Sequence, residues 1–357
     1  MKIVIDINHP AQVHFLKNFM WEMQKRGHET LIAASDKDIT YRLLNGYGFD
    51  FISMGSYGNS LVKKLVNIPL MDLKMYRAVK KFKADVFAAL GSIRAAHVAG
   101  VARKPYIAFD DDEYSYPYYH HFAGAVCGFS GFKISGKKVV KLNSFKELAY
   151  LHPHYFQADV EVLKEAGIST DGAFVLLRFV AWQAYHDVGR RGFDLETKRK
   201  LVNELKRYAK VYISSETPLP EEFEEYRLPL PPEKIHHFLF FAKLLVCDSQ
   251  TMTTEAGVLG TPVVRCNSFV GENDMGNFLE LEQKYGLIFN CRESDKAISK
   301  AVELVRRPDL KEEWQRKREK LLADKIDATA FMVWFVENYP ESFQAMKKNP
   351  EIQYRFR

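Results

Sequence analysis

The stretch Leu244–Pro262, LLVCDSQTMTTEAGVLGTP, decides how this chain reads. Its first four residues are an apolar run that ends abruptly at Asp248-Ser249. A hydroxyl-rich turn follows, then an apolar-periodic segment that stops at Gly260-Thr261-Pro262. The pattern predicts strand, polar turn, helix. A helix starting there carries unpaired backbone N–H groups and the positive end of its dipole, beside the hydroxyls of Ser249, Thr251, Thr253 and Thr254. Such an end suits an anion, most commonly a phosphate. Glu255 comes one or two turns later, where a carboxylate could accept both hydroxyls of a ribose whose phosphates sit at the helix start. The same residues also describe an ordinary capped helix, with Ser249 or Thr251 as the cap.

The neighbouring segments frame this turn. Upstream, PPEKIHHFLFFAK (231–243) places proline in the first turn of a helix, as helix starts often do. Downstream, the strand VVRC leads into NSFVGENDMGN, where Asn267, Ser268, Glu272, Asn273 and Asp274 could hydrogen-bond sugar hydroxyls or form a plain polar loop. Earlier, AFVLLRF (173–179) reads as a buried strand with Arg178 near its end, followed by a loop carrying Trp182, His186, Asp187, Arg190 and Arg191. An arginine at the mouth of a parallel sheet is a good phosphate clamp, and equally a good surface residue. A helix over 194–209 and a strand over 211–214 complete this half.

The first half alternates in the same way. Strands are predicted at 2–7, 29–34, 49–54, 85–90 and 105–109, with helices between them, which implies a mostly parallel sheet covered on both faces. Ligands of such sheets bind beyond the carboxyl ends of the strands, so His9 and His14, after the first strand, sit where chemistry is expected. His9 also reads as a solvated loop residue. No G-x-G-x-x-G follows any strand, which argues against a dinucleotide site. The cluster FDDDEYSYPYYHH (109–121) puts four acidic residues in a row, and these cannot all be buried because like charges raise each other's pKa. Asp110 or Asp111 is expected in a cleft, as a general base or, with Asp112, around a divalent cation; a solvated acidic loop is the alternative. The segment 61–83 mixes lysines with Leu, Met, Tyr and Phe. It fits a crossover helix or a basic amphipathic face laid on an anionic membrane, and Pro69 argues against one unbroken helix.

A chain of 357 residues suits two domains. The change of pattern near Lys138–His154 puts the boundary at about residue 150, giving domains 1–150 and 151–325. A helical tail, 326–357, must then bury its aromatic face back toward the first domain. With 47% hydrophobic and 27% charged residues, the chain is expected to be globular and soluble. The four cysteines lack C-x-x-C spacing and read as buried thiols of a cytosolic protein. No segment has the length to span a bilayer and the N-terminus lacks a signal-peptide core, so a cytoplasmic location is expected, with contact at the inner membrane face left open. The net charge of +6 is small for a surface that tracks nucleic-acid phosphates.

These motifs carry a resemblance. Two similar α/β halves, a histidine in the first loop and D-S-x-T-M-x-x-E-A-x-x-L-G-T-P resemble the GT-B architecture: two Rossmann-like domains with a cleft between them, as in UDP-sugar glycosyltransferases and UDP-N-acetylglucosamine 2-epimerases. More closely, DINHPAQVHF, LHPHYF, LLRFVAW, PPEKIHHFL, DSQTMTTEAGVLGTP and RCNSFVGEN resemble a family of unknown function from bacteria and archaea, often encoded among surface-polysaccharide genes.

The resemblance implies an acceptor-side first domain and a nucleotide-sugar-binding second domain. Ser249, with Gln250, Thr251, Met252 and Thr253, would hold the diphosphate, Glu255 the ribose, and the backbone near Ile235 the base. Arg178, Glu272 and Asn273 would complete the donor site. His14 matches the histidine after the glycine-rich first loop of the lipid II-forming N-acetylglucosaminyltransferase, although Asn8-His9-Pro10-Ala11 replaces those glycines. It is the candidate base, with Asp110 behind it. The epimerases' H-G-D-T corresponds to Leu90-Gly91-Ser92-Ile93, with serine in place of a catalytic carboxylate, and their first-loop arginine is missing.

The expectation is therefore a metal-independent glycosyltransferase of surface-polysaccharide or glycoconjugate biosynthesis, taking a UDP-sugar as substrate and a saccharide or lipid-linked acceptor, with no cofactor. A UDP-sugar epimerase or hydrolase is the runner-up, since Asp110–Glu113 lies about where another epimerase acid is found. A non-catalytic nucleotide-sugar-binding protein is the third reading.

Overall fold

The strand β1 (Lys2–Ile7) is apolar at every position but two and buried along nearly its whole length. That is what a parallel sheet covered on both faces requires. Beside it run β2 (Glu29–Ser35), β3 (Ile52–Gly55), β4 (Val86–Leu90), β5 (Tyr106–Asp110), β6 (Ala125–Gly128) and β7 (Val139–Lys141). Their order is β3-β2-β1-β4-β5-β6-β7, and every pairing is parallel. A second sheet holds β8 (Phe174–Phe179), β9 (Lys210–Ser215), β10 (Leu244–Cys247), β11 (Val263–Cys266) and β12 (Ile288–Cys291), in the order β12-β11-β10-β8-β9 and again all parallel. This is the α/β, GT-B-like class that the sequence implies.

The computed structural model describes residues 1–58, 61–181, 192–271 and 274–357, the side chains of 61–65 excepted. It divides into two compact units, one of Met1–Tyr155 with Asp324–Arg357 and one of Phe156–Ala323. In the first unit the helix Pro10–Lys25 crosses from β1 to β2. It begins three residues before Val13, where the helical spacing of apolar residues starts, because His9 caps it by accepting the backbone N–H of Ala11 at 3.2 Å and Pro10 fills its first position. Helix Leu61–Phe82 runs unbroken through Pro69, against the sequence expectation. One proline removes a single ladder bond, and the buried side chains of Met71, Met75 and Val79 hold the helix to the sheet. Helix Ala328–Glu337, in the C-terminal segment, packs on helix Pro10–Lys25. No helix among the described residues is long and apolar enough to cross a membrane.

Strand order locates the switch points. In the first sheet the chain moves outward in opposite directions from β1 and β4; in the second it does so from β8 and β10. The loops after these four strands border the crevices where ligands of open α/β sheets bind.

Candidate functional sites

In the second unit, β10 ends at Cys247 and helix Thr251–Leu259 begins four residues later. Gly260, at φ +72°, closes the helix in the left-handed region that glycine enters without strain. At the other end the N-cap position is Gln250, which makes no side-chain cap bond, and the first turn has no acidic residue. The Ser249 hydroxyl accepts the N–H of Met252 only at 3.4 Å. The first amides of this helix thus lie among hydroxyls with weak internal competition, which suits an anion.

The side chains around the turn are firmly placed. Asp248 accepts the backbone N–H groups of Val180 at 3.0 Å and Phe193 at 3.3 Å, tying the end of β10 to residues beyond β8. Asn267 donates to the Asp248 carbonyl at 3.0 Å. Thr253 donates to the Ser249 carbonyl at 2.6 Å, and Asn277 to the Thr254 hydroxyl at 3.3 Å. Glu255 is buried, its Oε1 2.9 Å from His236 Nε2. Ile235, one residue earlier, opens the helix Ile235–Phe241.

Arg178 lies on β8 opposite Cys247, next to the turn. Its guanidinium donates to Ser214 at 2.8 Å and Glu216 at 2.6 Å, while its Nε is buried without a hydrogen-bond partner among the described residues. The second-unit candidates Arg178, Ile235, Ser249, Gln250, Thr251, Met252, Thr253 and Glu255 therefore lie on β8, on the helix at Ile235, and on the turn and helix after β10. Glu272 and Asn273 lie outside the described residues, as do Trp182, His186, Asp187, Arg190 and Arg191. Asp274, beside them, is buried in an ion pair with Arg265 at 2.7 Å.

In the first unit the switch point holds a network that the sequence reading missed. Asp6, the one acid in β1, is fully buried and paired with buried Arg94 through Nε at 3.0 Å and through Nη2. Ser92, after β4, donates to the same carboxylate, and Asn8 does so at 3.0 Å. Ser35, at the end of β2, and Tyr57, beyond β3, each donate to Asn8 Oδ1 at 2.9 Å. Arg94 reaches Ser35 at 3.0 Å. Burial is the largest single influence on Arg94 and lowers its pKa, but the charge and hydrogen bond of Asp6, with Tyr57 and Asp72, together outweigh it and the net shift is upward. The guanidinium stays charged. Four strand ends converge on one buried ion pair.

His14 lies in helix Pro10–Lys25, nearly buried, with Nδ1 3.1 Å from the Tyr47 hydroxyl and its ring stacked on Tyr150 at 5.8 Å. Asp110 ends β5 and is also buried. Tyr119 donates to it at 2.6 Å, the Asp111 amide at 2.9 Å and the Asp112 amide at 3.3 Å. Burial first, then the Asp112 charge, push its pKa well above the carboxylate range. Gly91, at φ +49°, passes so close that a Cβ there would lie 2.9 Å from Asp110 Oδ2. Asp111 is paired with Lys146 at 2.5 Å. The acidic run is thus divided among distinct environments, Asp110 buried among donors and Asp111 paired with Lys146.

Comparison with known proteins follows the same lines. Residues 1–118 match the family described as protein of unknown function (DUF354). The chain is 22% identical over 280 residues to Uncharacterized protein MJ0665 of Methanocaldococcus jannaschii, covering 74% of this chain and 82% of that one. Among solved structures it resembles the UDP-GlcNAc 2-epimerase of Neisseria meningitidis bound to UDP-GlcNAc, with TM-score 0.61, 13% identity, and coverage of 95% of this chain and 100% of that one. It equally resembles spinosyn rhamnosyltransferase SpnG complexed with spinosyn aglycone, with TM-score 0.61, 12% identity, and coverage of 94% and 100%. The fold is that of UDP-sugar epimerases and glycosyltransferases alike.

Proposed function

We propose that this protein is a glycosyltransferase that takes a nucleotide-sugar donor, a UDP-sugar, in its second unit and a saccharide or lipid-linked acceptor in its first. The observation that carries the reading is the start of helix Thr251–Leu259, which opens at the switch point of the second sheet amid hydroxyls, with Gln250 making no cap bond and Ser249 only a 3.4 Å one. Amides and hydroxyls fixed in that way stabilise charge developing on a leaving diphosphate without reorganising, so the reading needs no metal at the leaving group. Glu255, oriented by His236, accepts the ribose hydroxyls, and His14 takes the acceptor proton. Arg178 has to exchange Glu216 for a phosphate to act as a clamp. The reading puts the protein in surface-polysaccharide or glycoconjugate assembly on the cytoplasmic side, peripheral to the membrane.

A specific observation favours a second reading, a UDP-sugar epimerase or hydrolase. Asp110 is a buried carboxyl beside Gly91 whose pKa burial and the Asp112 charge raise, as suits a sugar-directed acid.

Calorimetric titration with UDP, ADP, GDP and CMP, with and without magnesium, tests the donor half. Metal-independent binding of UDP is the expected result, and no binding of any of them overturns both readings. Chromatography of UDP-N-acetylglucosamine incubated with the protein then separates the two. UDP release that depends on an added acceptor supports transfer, whereas a new UDP-sugar or free sugar formed without an acceptor supports the second.

A further inference from the structure

The short helix Leu148–Leu151 ends at His152, and the chain then runs His152-Pro153-His154-Tyr155 to the limit of the first unit. The returning chain enters that unit at Asp324 and reaches Asp327 three residues later. His154 Nδ1 lies 2.9 Å from Asp327 Oδ2, and His152 Nδ1 lies 3.9 Å from the same oxygen. The two imidazole rings are 4.3 Å apart and inclined at 65°. Among the described residues this is the one cluster with metal-ligand spacing that contains imidazole, its three ligand atoms all lying within 4.8 Å of one another.

We propose that His152, His154 and Asp327 bind one divalent ion of the zinc class, and that the ion clips the departing chain to the returning chain. Ligand atoms of a tetrahedral zinc, each about 2.0–2.1 Å from the metal, lie roughly 3.3–3.4 Å apart. The two measured separations from the carboxylate oxygen bracket that value. Two imidazoles and one carboxylate select zinc, cobalt, nickel or ferrous iron over magnesium and calcium, which take oxygen sets.

The carboxylate is also held as a ligand should be. Asp327 Oδ1 accepts the Ala330 N–H at 2.9 Å, capping helix Ala328–Glu337, and the Tyr155 hydroxyl bonds the same side chain. Such outer contacts fix a metal-binding carboxylate in orientation. Asp327 and His152 are buried, while the His154 side chain is 63% exposed, which leaves the ion a path from solvent. Binding displaces the proton between His154 and Asp327, and also the weak 3.3 Å bond from the His154 amide to His152 Nδ1.

The test uses the full untagged chain, stripped with a chelator and titrated with Co²⁺ and, in competition with a chromophoric chelator, with Zn²⁺. The expected result is one cobalt per chain with a visible d–d band, and a melting temperature that rises with zinc. His154→Gln should weaken zinc binding by about tenfold or more, remove the band and abolish the rise, while melting like the wild type in chelator because its side chain is mostly exposed. His120→Gln, at the other adjacent histidine pair of this unit, should change none of these. Absence of a cobalt band from the wild type overturns the proposal, as does equal zinc affinity of the wild type and His154→Gln.

Discussion

His236 Nε2 sits 2.9 Å from Glu255 Oε1, and both side chains are buried. The imidazole fixes the plane of the carboxylate on helix Thr251–Leu259. If that carboxylate takes the ribose, Glu255→Ala should weaken UDP binding by tenfold or more, since a hydrogen bond to a charged group is worth about 1.5–3 kcal/mol. The same variant should bind UDP and its 2′,3′-dideoxy analogue equally. His236→Gln should give a smaller loss. Calorimetry on the two ligands reads all three outcomes, and unchanged UDP affinity in Glu255→Ala removes the ribose role.

Asp6 and Arg94 make a prediction about stability. Removing one member of a buried pair leaves the other charge uncompensated, at a cost of about 3–5 kcal/mol. Arg94→Met should show that loss in urea denaturation of the whole chain. Asp6→Asn combined with Arg94→Met should be less damaging than Arg94→Met alone, because no naked charge remains.

This network also shows where legibility stops. The fold class was readable because alternation of apolar strands with 3.6-periodic helices is a local signal, and the turn after β10 was readable because strand, hydroxyls and helix are contiguous. Two strands, β6 and β12, were missed, and β7 read only as a strand-like piece at the change of pattern. The strands β6 and β7 are short and joined without a long amphipathic helix, and β12 is a four-residue run that ends half-exposed. The partners of Asp6 are out of reach for another reason, since Arg94 lies 88 positions away and Ser92 arrives from another strand end, 86 positions away. The available signals were an acid inside an apolar strand and an arginine inside the apolar helix Ile93–Ala102. Burying either demands a partner.

His14 yields the test of catalysis. A positioned general base typically contributes 10²–10⁴-fold, so about that loss of acceptor-dependent turnover is expected in His14→Ala, with UDP affinity unchanged. The Tyr47 and Tyr150 rings hold the imidazole from two sides. Tyr47→Phe keeps the ring and removes only the hydroxyl, so it should shift the pH profile more than the maximal rate. Full turnover in His14→Ala would remove the base role from His14.

Lys311 gives the second unit a pH dependence. Its ammonium group bonds the Phe240 carbonyl and lies 5.0 Å from the Phe240 ring centroid. Burial, then the Arg318 charge, lowers its pKa to about 7. An unfolded lysine titrates near 10.4, so between pH ~7 and ~10 the unfolded chain binds the extra proton and stability rises with pH. Below about pH 7 the penalty is complete and constant. Urea midpoints of the wild type should therefore climb from pH 7 to pH 9 relative to those of Lys311→Met. Parallel curves would contradict the lowered pKa.

The exposed stripe of helix Leu61–Phe82 bears on membrane contact. Val66, Leu70 and Leu73 are 56%, 58% and 44% exposed, while Met71, Met75 and Val79 pack inward. At helical spacing the apolar stripe continues into exposed Lys74, Arg77 and Lys81. A face with that division buries its leucines at the headgroup boundary and sets its cations against anionic lipid, each worth about 1 kcal/mol near such a surface. The protein should therefore float with vesicles containing phosphatidylglycerol, less with pure phosphatidylcholine, and progressively less as salt screens the charges. Leu70→Glu with Leu73→Glu should abolish flotation without lowering the melting temperature, because neither side chain contributes to the core. Equal flotation of that double variant and the wild type would assign any vesicle binding to another surface.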